Sequence, residues 1–160
     1  MDTITFAPLG LIHTPFVSIQ GMPIQSVGAT GVSGWIEMDP AYESGLRDLD
    51  GFEYLILIYH LHRVGTGSLT VTPFLDNQPR GVFATRSPKR PNALGLSIVK
   101  LIGVDGLRLD IEDVDMLDGT PLLDIKPYVP AFDGRATERI GWFAGKAEQA
   151  QQARADGRFA

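Results

Sequence analysis

Glycine and proline divide this chain into short apolar segments, and no other feature constrains its fold as strongly. The 160 residues include 18 glycines and 11 prolines, and these separate closely spaced apolar runs. Short runs bounded by turn-forming residues are typical of a mostly β domain. The run Tyr54–His62, YLILIYHLH, is apolar on both faces, which predicts a central, buried strand.

The other runs predict further strands, and two segments predict helices. A short helix is expected over Pro40–Leu49 behind the N-cap Asp39, and a longer one over Ala136–Arg154. Many short strands with few helices favour one sheet closed into a roughly seven-stranded β-barrel, because closure removes exposed sheet edges. A β-sandwich stays open as the alternative. The predicted strands are Thr5–His13, Gly34–Met38, Tyr54–His62, Ser68–Pro73, Val82–Thr85, Leu96–Val104, Arg108–Val114 and Leu122–Lys126.

The length of the chain fits a single domain. We expect a barrel domain over residues 1–135 and a helical tail over 136–160, with no second domain. The chain has no cysteine, which excludes disulfides and thiolate nucleophiles, and its N-terminus does not read as a secretory signal. No apolar run approaches the roughly 18 residues of a membrane span. These features favour a cytoplasmic protein without membrane contact.

Positive charge is concentrated in one segment of an otherwise acidic chain. The net charge of −5 argues against a protein that coats nucleic acid through bulk electrostatics. Between Arg80 and Lys100, however, there are five basic residues and no acidic one. The loop Thr85–Gly95, TRSPKRPNALG, combines arginine, serine, asparagine and two prolines. It reads either as a stiff anion-binding loop or as a solvated hairpin connection.

Two further groups of polar residues are open to a functional and a structural interpretation. Asp124 and Lys126 point to the same face of a predicted strand, as an ion pair or as catalytic groups. His60 and His62 also share a strand face, a spacing that could ligate a metal in a hydrolase. With no cysteine and only three histidines, this signal is weak, so we expect no metal site.

Six short motifs are spread along the chain: IHTPF (Ile12–Phe16), GVFATRS (Gly81–Ser87), RPN (Arg90–Asn92), GLS (Gly95–Ser97), DGTP (Asp118–Pro121) and DIKPY (Asp124–Tyr128). Together these motifs resemble the TrmO/YaeB family, whose members methylate a transfer RNA. That resemblance implies a β-barrel methyltransferase without a Rossmann fold, using S-adenosylmethionine and usually forming a homodimer with the cofactor near the subunit interface. The implied substrate is threonylcarbamoyladenosine beside the anticodon, methylated on its exocyclic nitrogen. An S-adenosylmethionine-binding enzyme or regulatory module that acts on a small molecule or another RNA is the alternative.

The resemblance also implies roles for individual residues. For the acceptor side of such a reaction, our candidate catalytic residues are Asp124, Lys126 and Tyr128, and our candidates for binding RNA phosphate or the threonyl carboxylate are Lys89, Arg90 and Asn92. The implied cofactor-binding residues are Gln25, Ser26, Val27, Leu61, His62, Arg86, Leu96, Asp118, Gly119, Thr120 and Pro121.

Overall fold

The structure, a computed structural model, describes residues 2–156 and contains eight β-strands. A single turn of α-helix, α1, covers Pro130–Asp133, and the remaining helical segments are 3-10 turns. The strands are β1 Gly10–His13, β2 Ser33–Met38, β3 Tyr54–His60, β4 Thr70–Val71, β5 Arg80–Gly81, β6 Leu94–Asp105, β7 Arg108–Glu112 and β8 Thr120–Pro127.

Six of the strands close into an antiparallel barrel, in the order β1, β2, β7, β6, β3, β8. Strands β4 and β5 form a separate two-stranded ribbon that stands outside the barrel. The predicted single-sheet barrel is therefore confirmed, with six strands in the closed sheet where roughly seven were expected. Closure also decides against the sandwich.

Alternate residues along the strands fill the barrel interior. On β3 the inward side chains are Leu55, Leu57 and Tyr59, which are 0%, 0% and 6% exposed. The interior is apolar and close-packed, and burial of each such side chain contributes about 1.5–3 kcal/mol. The fully buried side chains of this core are Ile12, Ile36, Leu55, Leu57, Val99, Leu109, Ile111, Val114 and Leu122.

Strand β3 lies between β6 and β8, in agreement with its prediction as a central strand. Its outward residues differ from that prediction, since they are only partly buried in the single chain. On the neighbouring strand β6, Leu94, Leu96 and Ile98 are 43%, 50% and 36% exposed. We call Ile56, Ile58, Leu94, Leu96 and Ile98 together the outer apolar face.

The expected helix after Asp39 forms as a 3-10 turn over Pro40–Leu46, shorter than the predicted segment. The backbone N–H of Ala41 donates a 2.8 Å hydrogen bond to Asp39 Oδ1, so the predicted N-cap is present. The first strand is also shorter than predicted, because it begins at Gly10. A side chain at Gly10 would overlap the backbone of β2, so this glycine allows the two strands to approach.

The predicted C-terminal helix over Ala136–Arg154 is wrong. The chain forms two separate 3-10 turns there, Gly141–Phe143 and Ala147–Gln151. Gly141 and Gly145 have φ angles of +61° and +72°, and this left-handed conformation interrupts a helix. Residues 157–160 of the predicted tail lie outside the described residues, and the domain division after residue 135 stays a prediction.

The tail packs against the segments around Met22, Asp76 and Ala84 in spite of its irregular structure. Trp142 Nε1 donates a 2.7 Å hydrogen bond to the carbonyl of Ala84, and Lys146 Nζ lies 2.9 Å from Asp76 Oδ1. Further along, Ala155 exchanges backbone hydrogen bonds with Gly21 and Met22. Within residues 2–156, none of the helical segments has the length and apolar character of a membrane span.

Candidate functional site

A cleft of about 360 Å³ opens at the end of the barrel where β3 ends and β6 begins. We call it the main cleft; its walls come from segments 19–25, 61–64, 85–90, 94–96 and 115–117. A second cleft of about 460 Å³, the tail cleft, lies beside it between segment 24–27, the start of β6 and the tail. Both clefts share Gln25, Arg86 and Leu96, so they form one continuous depression.

Three polar side chains meet at the floor of the main cleft. Tyr59 Oη lies 2.9 Å from Ser97 Oγ, and Ser97 Oγ donates a 2.5 Å hydrogen bond to Asp115 Oδ1. Tyr59 and Ser97 are 6% and 3% exposed. Because Ser97 donates its proton to the carboxylate, the tyrosine hydroxyl donates to Ser97, and the chain of donors ends on Asp115.

Tyr59 fits into this hydrogen-bonded group only because a glycine faces it across the β3–β6 strand pair. Gly95 is the partner of Tyr59 in the β3–β6 register. A Cβ atom at Gly95 would overlap the tyrosine ring. The glycine therefore allows the aromatic ring to lie flat against β6 and to reach Ser97.

The enclosure of Asp115 changes its acidity. Burial raises the pKa of its carboxyl from 3.8 to about 6, while the hydrogen bond from Ser97 and the charge of Arg86 act in the opposite direction. The same burial, assisted by the Asp115 charge, raises the pKa of Tyr59. Asp115 is therefore ionised above neutrality and can still hold a proton slightly below it, whereas Tyr59 stays protonated.

The basic loop is internally braced. Arg90 Nη1 donates hydrogen bonds of 3.0 Å to the Thr85 carbonyl and 3.3 Å to the Val82 carbonyl. The buried Thr85 hydroxyl donates to the Val82 carbonyl at 2.8 Å and accepts from the Ser87 N–H at 3.2 Å. The stiff-loop interpretation is therefore supported, and the brace presents the exposed Arg86 to both clefts.

His62 lines the main cleft, and His60 is exposed at the end of β3. Burial, followed by the charge of Arg63, lowers the pKa of His62, so its imidazole is neutral at pH 7. Across the described part of the chain, no cluster of three or more histidine, aspartate or glutamate side chains is arranged to hold a metal ion.

Most of the expected cofactor-binding residues converge on this depression, although they come from distant parts of the sequence. Ser26 and Val27 line the tail cleft. The expected cofactor-binding residues that line the main cleft are Gln25, Leu61, His62, Arg86, Leu96 and Thr120.

The structure places Asp118, Gly119 and Pro121 outside the lining of both clefts. Asp118 Oδ1 accepts from the Thr14 N–H at 3.2 Å, and Gly119 has a φ angle of +71°. Pro121 pairs with β1. Asp118 and Gly119 form the turn that leads into β8 and thereby position Thr120, whereas Pro121 is already a residue of that strand. The contact of all three with a cofactor stays a prediction.

Asp124, Lys126 and Tyr128 also lie away from the clefts, on the outer side of the barrel. Lys126 Nζ is 2.7 Å from Asp124 Oδ2, and the ring of Tyr128 contacts Tyr54 edge-on with centroids 6.5 Å apart. Within one chain the ion-pair interpretation therefore describes the first two residues, and the catalytic role of all three stays a prediction.

The expected substrate-binding residues are divided. Arg90 lines the main cleft, whereas Lys89 and Asn92 lie at the loop tip, outside both linings. The sequence reasoning missed Tyr59, Ser97 and Asp115. One signal was present, because Ser97 is a polar residue at an inward position of a strand whose next inward residues are Val99 and Leu101.

Comparison with known proteins agrees with this architecture. Residues 11–134 match the family described as the tRNA-methyltransferase O N-terminal domain. The chain is 48% identical over 156 residues to a probable S-adenosyl-L-methionine-binding protein of Pyrococcus abyssi, covering 98% of this chain and 85% of the relative. It is 35% identical over 135 residues to the human tRNA (adenine(37)-N6)-methyltransferase, covering 79% of this chain and 30% of the relative.

Solved structures give the same result. The crystal structure of TrmO from Pseudomonas aeruginosa superimposes with a TM-score of 0.74 at 34% identity, covering 88% of this chain and 63% of that one. The chain thus spans most of the archaeal relative, less than two thirds of the Pseudomonas structure and less than a third of the human enzyme. Since the family match covers most of its residues, the chain belongs to the tRNA-methyltransferase O family.

Proposed function

We propose that this protein is an S-adenosylmethionine-dependent methyltransferase that methylates the exocyclic nitrogen of threonylcarbamoyladenosine beside the tRNA anticodon. The observation that carries the proposal is the convergence of six expected cofactor-binding residues, from five separate segments, on the main cleft. The names of the relatives support the cofactor and the tRNA substrate. A tRNA substrate would place the protein in the cytoplasm.

The main cleft fits the cofactor in size and chemistry. Its volume of about 360 Å³ lies within the roughly 300–1,000 Å³ typical of small-molecule sites. Leu61, Leu96 and Met116 offer apolar surface to an adenine ring and a thioether chain. Arg86 offers a planar guanidinium, which suits the carboxylate of an amino acid.

When bound, the cofactor supplies a methyl group on a positively charged sulfur. The protein contributes orientation and exclusion of water, and most of the acceleration in such a transfer comes from positioning. The braced loop holds Arg86 in place, and the floor of Tyr59, Ser97 and Asp115 is fixed by hydrogen bonds. The site is therefore preorganised before either substrate binds.

The loop tip would hold the RNA. Lys89 and Asn92 stand outside the cleft, where a phosphate or the threonyl carboxylate could reach them, while Arg90 is committed to the carbonyls of Val82 and Thr85. We therefore assign the phosphate contact to Lys89 and the bracing of the loop to Arg90. Removing a phosphate contact lowers the salt dependence of binding.

We further propose that two copies associate through the outer apolar face. The outer apolar face carries no charge itself; it is bordered on β6 by Lys100 and on β8 by the Asp124–Lys126 ion pair. An apolar patch on both exposed strands favours an interface between copies. Such a dimer would place Asp124, Lys126 and Tyr128 at the subunit boundary and Leu96 between the boundary and both clefts.

Analytical ultracentrifugation tests the dimer. Ile58→Glu places a charge in the outer apolar face and should shift the protein to monomer. Val17→Glu is the control, since Val17 is 83% exposed and belongs to a different surface. A wild-type protein that sediments as a monomer at high concentration would refute the proposed dimer.

Methyl transfer to tRNA tests the function. Labelled S-adenosylmethionine is incubated with tRNA from cells that lack this methylation, and fragments of the anticodon loop are measured by mass spectrometry. We expect one added methyl group on the modified adenosine, strongly reduced for Arg86→Ala and unchanged for Arg108→Ala. Arg108 lies over Trp35 on another side of the barrel, 4.4 Å from its ring centroid. Cofactor binding without transfer to any RNA would instead support a regulatory module.

A further inference from the structure

The proposed reaction releases a proton, and the expected catalytic residues do not reach the cleft within one chain. The attacking nitrogen carries hydrogen, and this hydrogen has to leave as the new bond to carbon forms. Among the described residues that line the main cleft, Asp115 is the one with a carboxyl group.

Asp115 is held in one orientation by its surroundings. Ser97 Oγ donates to its Oδ1 at 2.5 Å, and Tyr59 supports Ser97 from 2.9 Å. The backbone N–H groups of Ser26 and of Asp115 itself also donate hydrogen bonds to this carboxylate. Because a carboxylate has about four lone-pair sites, it is oriented by these bonds and keeps acceptor capacity for a ligand in the cleft. A base fixed by a hydrogen bond from a second, oriented group is the usual arrangement in general-base catalysis.

We propose that Asp115 is the general base that accepts the proton of the substrate nitrogen, an inference that rests on the proposed function. The nitrogen lone pair forms the new bond to the methyl carbon, the bond between sulfur and that carbon breaks, and sulfur keeps the electron pair. The N–H bond breaks toward the Asp115 carboxylate. The protonated Asp115 then returns its proton to water after the products leave.

The polar and charged groups around Asp115 suit the task of a general base. Tyr59 faces it from β3, Arg86 from the basic loop, and the backbone of Ser26 from the segment before β2. Arg63, Arg90 and the neutral His62 line the same cleft. Burial holds the pKa of Asp115 at about 6, close to the operating pH at which a general base is most effective.

His62 is the competing base in the cleft, and substitution separates the two. Asp115→Asn keeps the shape and the acceptor for Ser97 but cannot take a proton. We expect the rate of a single turnover to fall by about 10²–10⁴-fold, while the Kd for S-adenosylmethionine and S-adenosylhomocysteine changes only a few-fold. Asp105→Asn, at the exposed turn between β6 and β7, is the matched control and should retain the wild-type rate.

A second measurement does not depend on that variant. The carboxyl carbon of Asp115, followed by NMR across a pH titration of the wild-type protein, should titrate at about pH 6. The pH dependence of kcat/KM reports the groups of the free enzyme, so kcat/KM should rise through the same pH. Ser97→Ala removes a hydrogen bond that favours the charged form, so it should move both midpoints to higher pH.

Several results would overturn the inference. The first is an Asp115→Asn protein with the wild-type rate, and the second is such a protein that loses cofactor affinity while its rate at saturation is kept. The third is a pH profile of kcat/KM that follows the titration of His62. A wild-type protein that binds the cofactor and transfers no methyl group would refute the proposed function itself, and the inference with it. Failure of the proposed function can be told apart from failure of the inference about Asp115, because it is seen in the wild-type protein without any substitution.

Discussion

The raised pKa of the Asp115 carboxyl predicts how the stability of the protein changes with pH. Asp115 titrates at about 6 in the folded protein and at 3.8 ordinarily. Because the native state holds the proton more tightly than the unfolded chain, the free energy of unfolding falls as pH rises through this window. The loss approaches about 3 kcal/mol at pH 8 and is about 1 kcal/mol at pH 4.5. Ionised Asp115 thus weakens the fold where the enzyme works.

Asp115→Asn removes the titration and should therefore stabilise the protein more at pH 8 than at pH 4.5. The gain should differ by about 2 kcal/mol between the two pH values. Any fixed cost of the amide in this position cancels from that difference. Urea denaturation of both proteins at the two pH values, followed by circular dichroism, measures it.

The control is Asp105→Asn, which should show no such dependence because Asp105 is exposed in the turn after β6. A gain for Asp115→Asn that is equal at both pH values would refute the reasoning, since the carboxyl would then have an ordinary pKa. A destabilised variant at pH 8 alone would also contradict it.

Two further substitutions test the packing around the site. Gly95→Ala should lower the free energy of unfolding by about 1–3 kcal/mol, because the new methyl group overlaps the Tyr59 ring. Gly103→Ala is the control on the same strand, with open space around the new methyl group. In the same urea assay it should lower the free energy of unfolding less. Asp76→Asn should release the tail and speed its tryptic cleavage, because Lys146 and a neighbouring arginine pair with this carboxylate. These partners lower the pKa of Asp76, so in the wild type the contact contributes its full stability above pH 3.8, and this contribution declines as pH falls from there toward the lowered pKa.

The strands were predictable because their signals are local. Apolar runs such as Leu55–Tyr59, bounded by turn formers, specify a strand whatever their partners are. The tail was not predictable in the same way, since its composition favours helix while Gly141 and Gly145 adopt left-handed backbone angles. The contact of Lys146 with Asp76 joins residues far apart in the chain, and no local pattern indicates it.

The candidate site was likewise predictable from the sequence only in part. The basic loop stands out in the sequence by composition, and the structure places Arg86 at both clefts. Asp115 does not stand out, because it lies in an acidic stretch that reads as solvated surface. Asp115 differs from ordinary surface carboxylates because three parts of the chain meet there. Tyr59 on β3 and Ser97 on β6 lie together with the segment that carries Asp115. Such a meeting depends on register, which the sequence alone does not specify.

Binding of the cofactor to the main cleft is the central claim, and NMR of the isotopically labelled protein tests it most directly. On addition of S-adenosylmethionine, backbone amide signals should shift in segments 24–27, 61–64, 85–87, 94–97 and 115–117, which line the main and tail clefts or adjoin their walls. Signals of β2 and β7 around Trp35 and Arg108 should stay in place. Shifts concentrated on β2 and β7, or a protein whose spectrum does not respond to the cofactor, would contradict the assignment of this site.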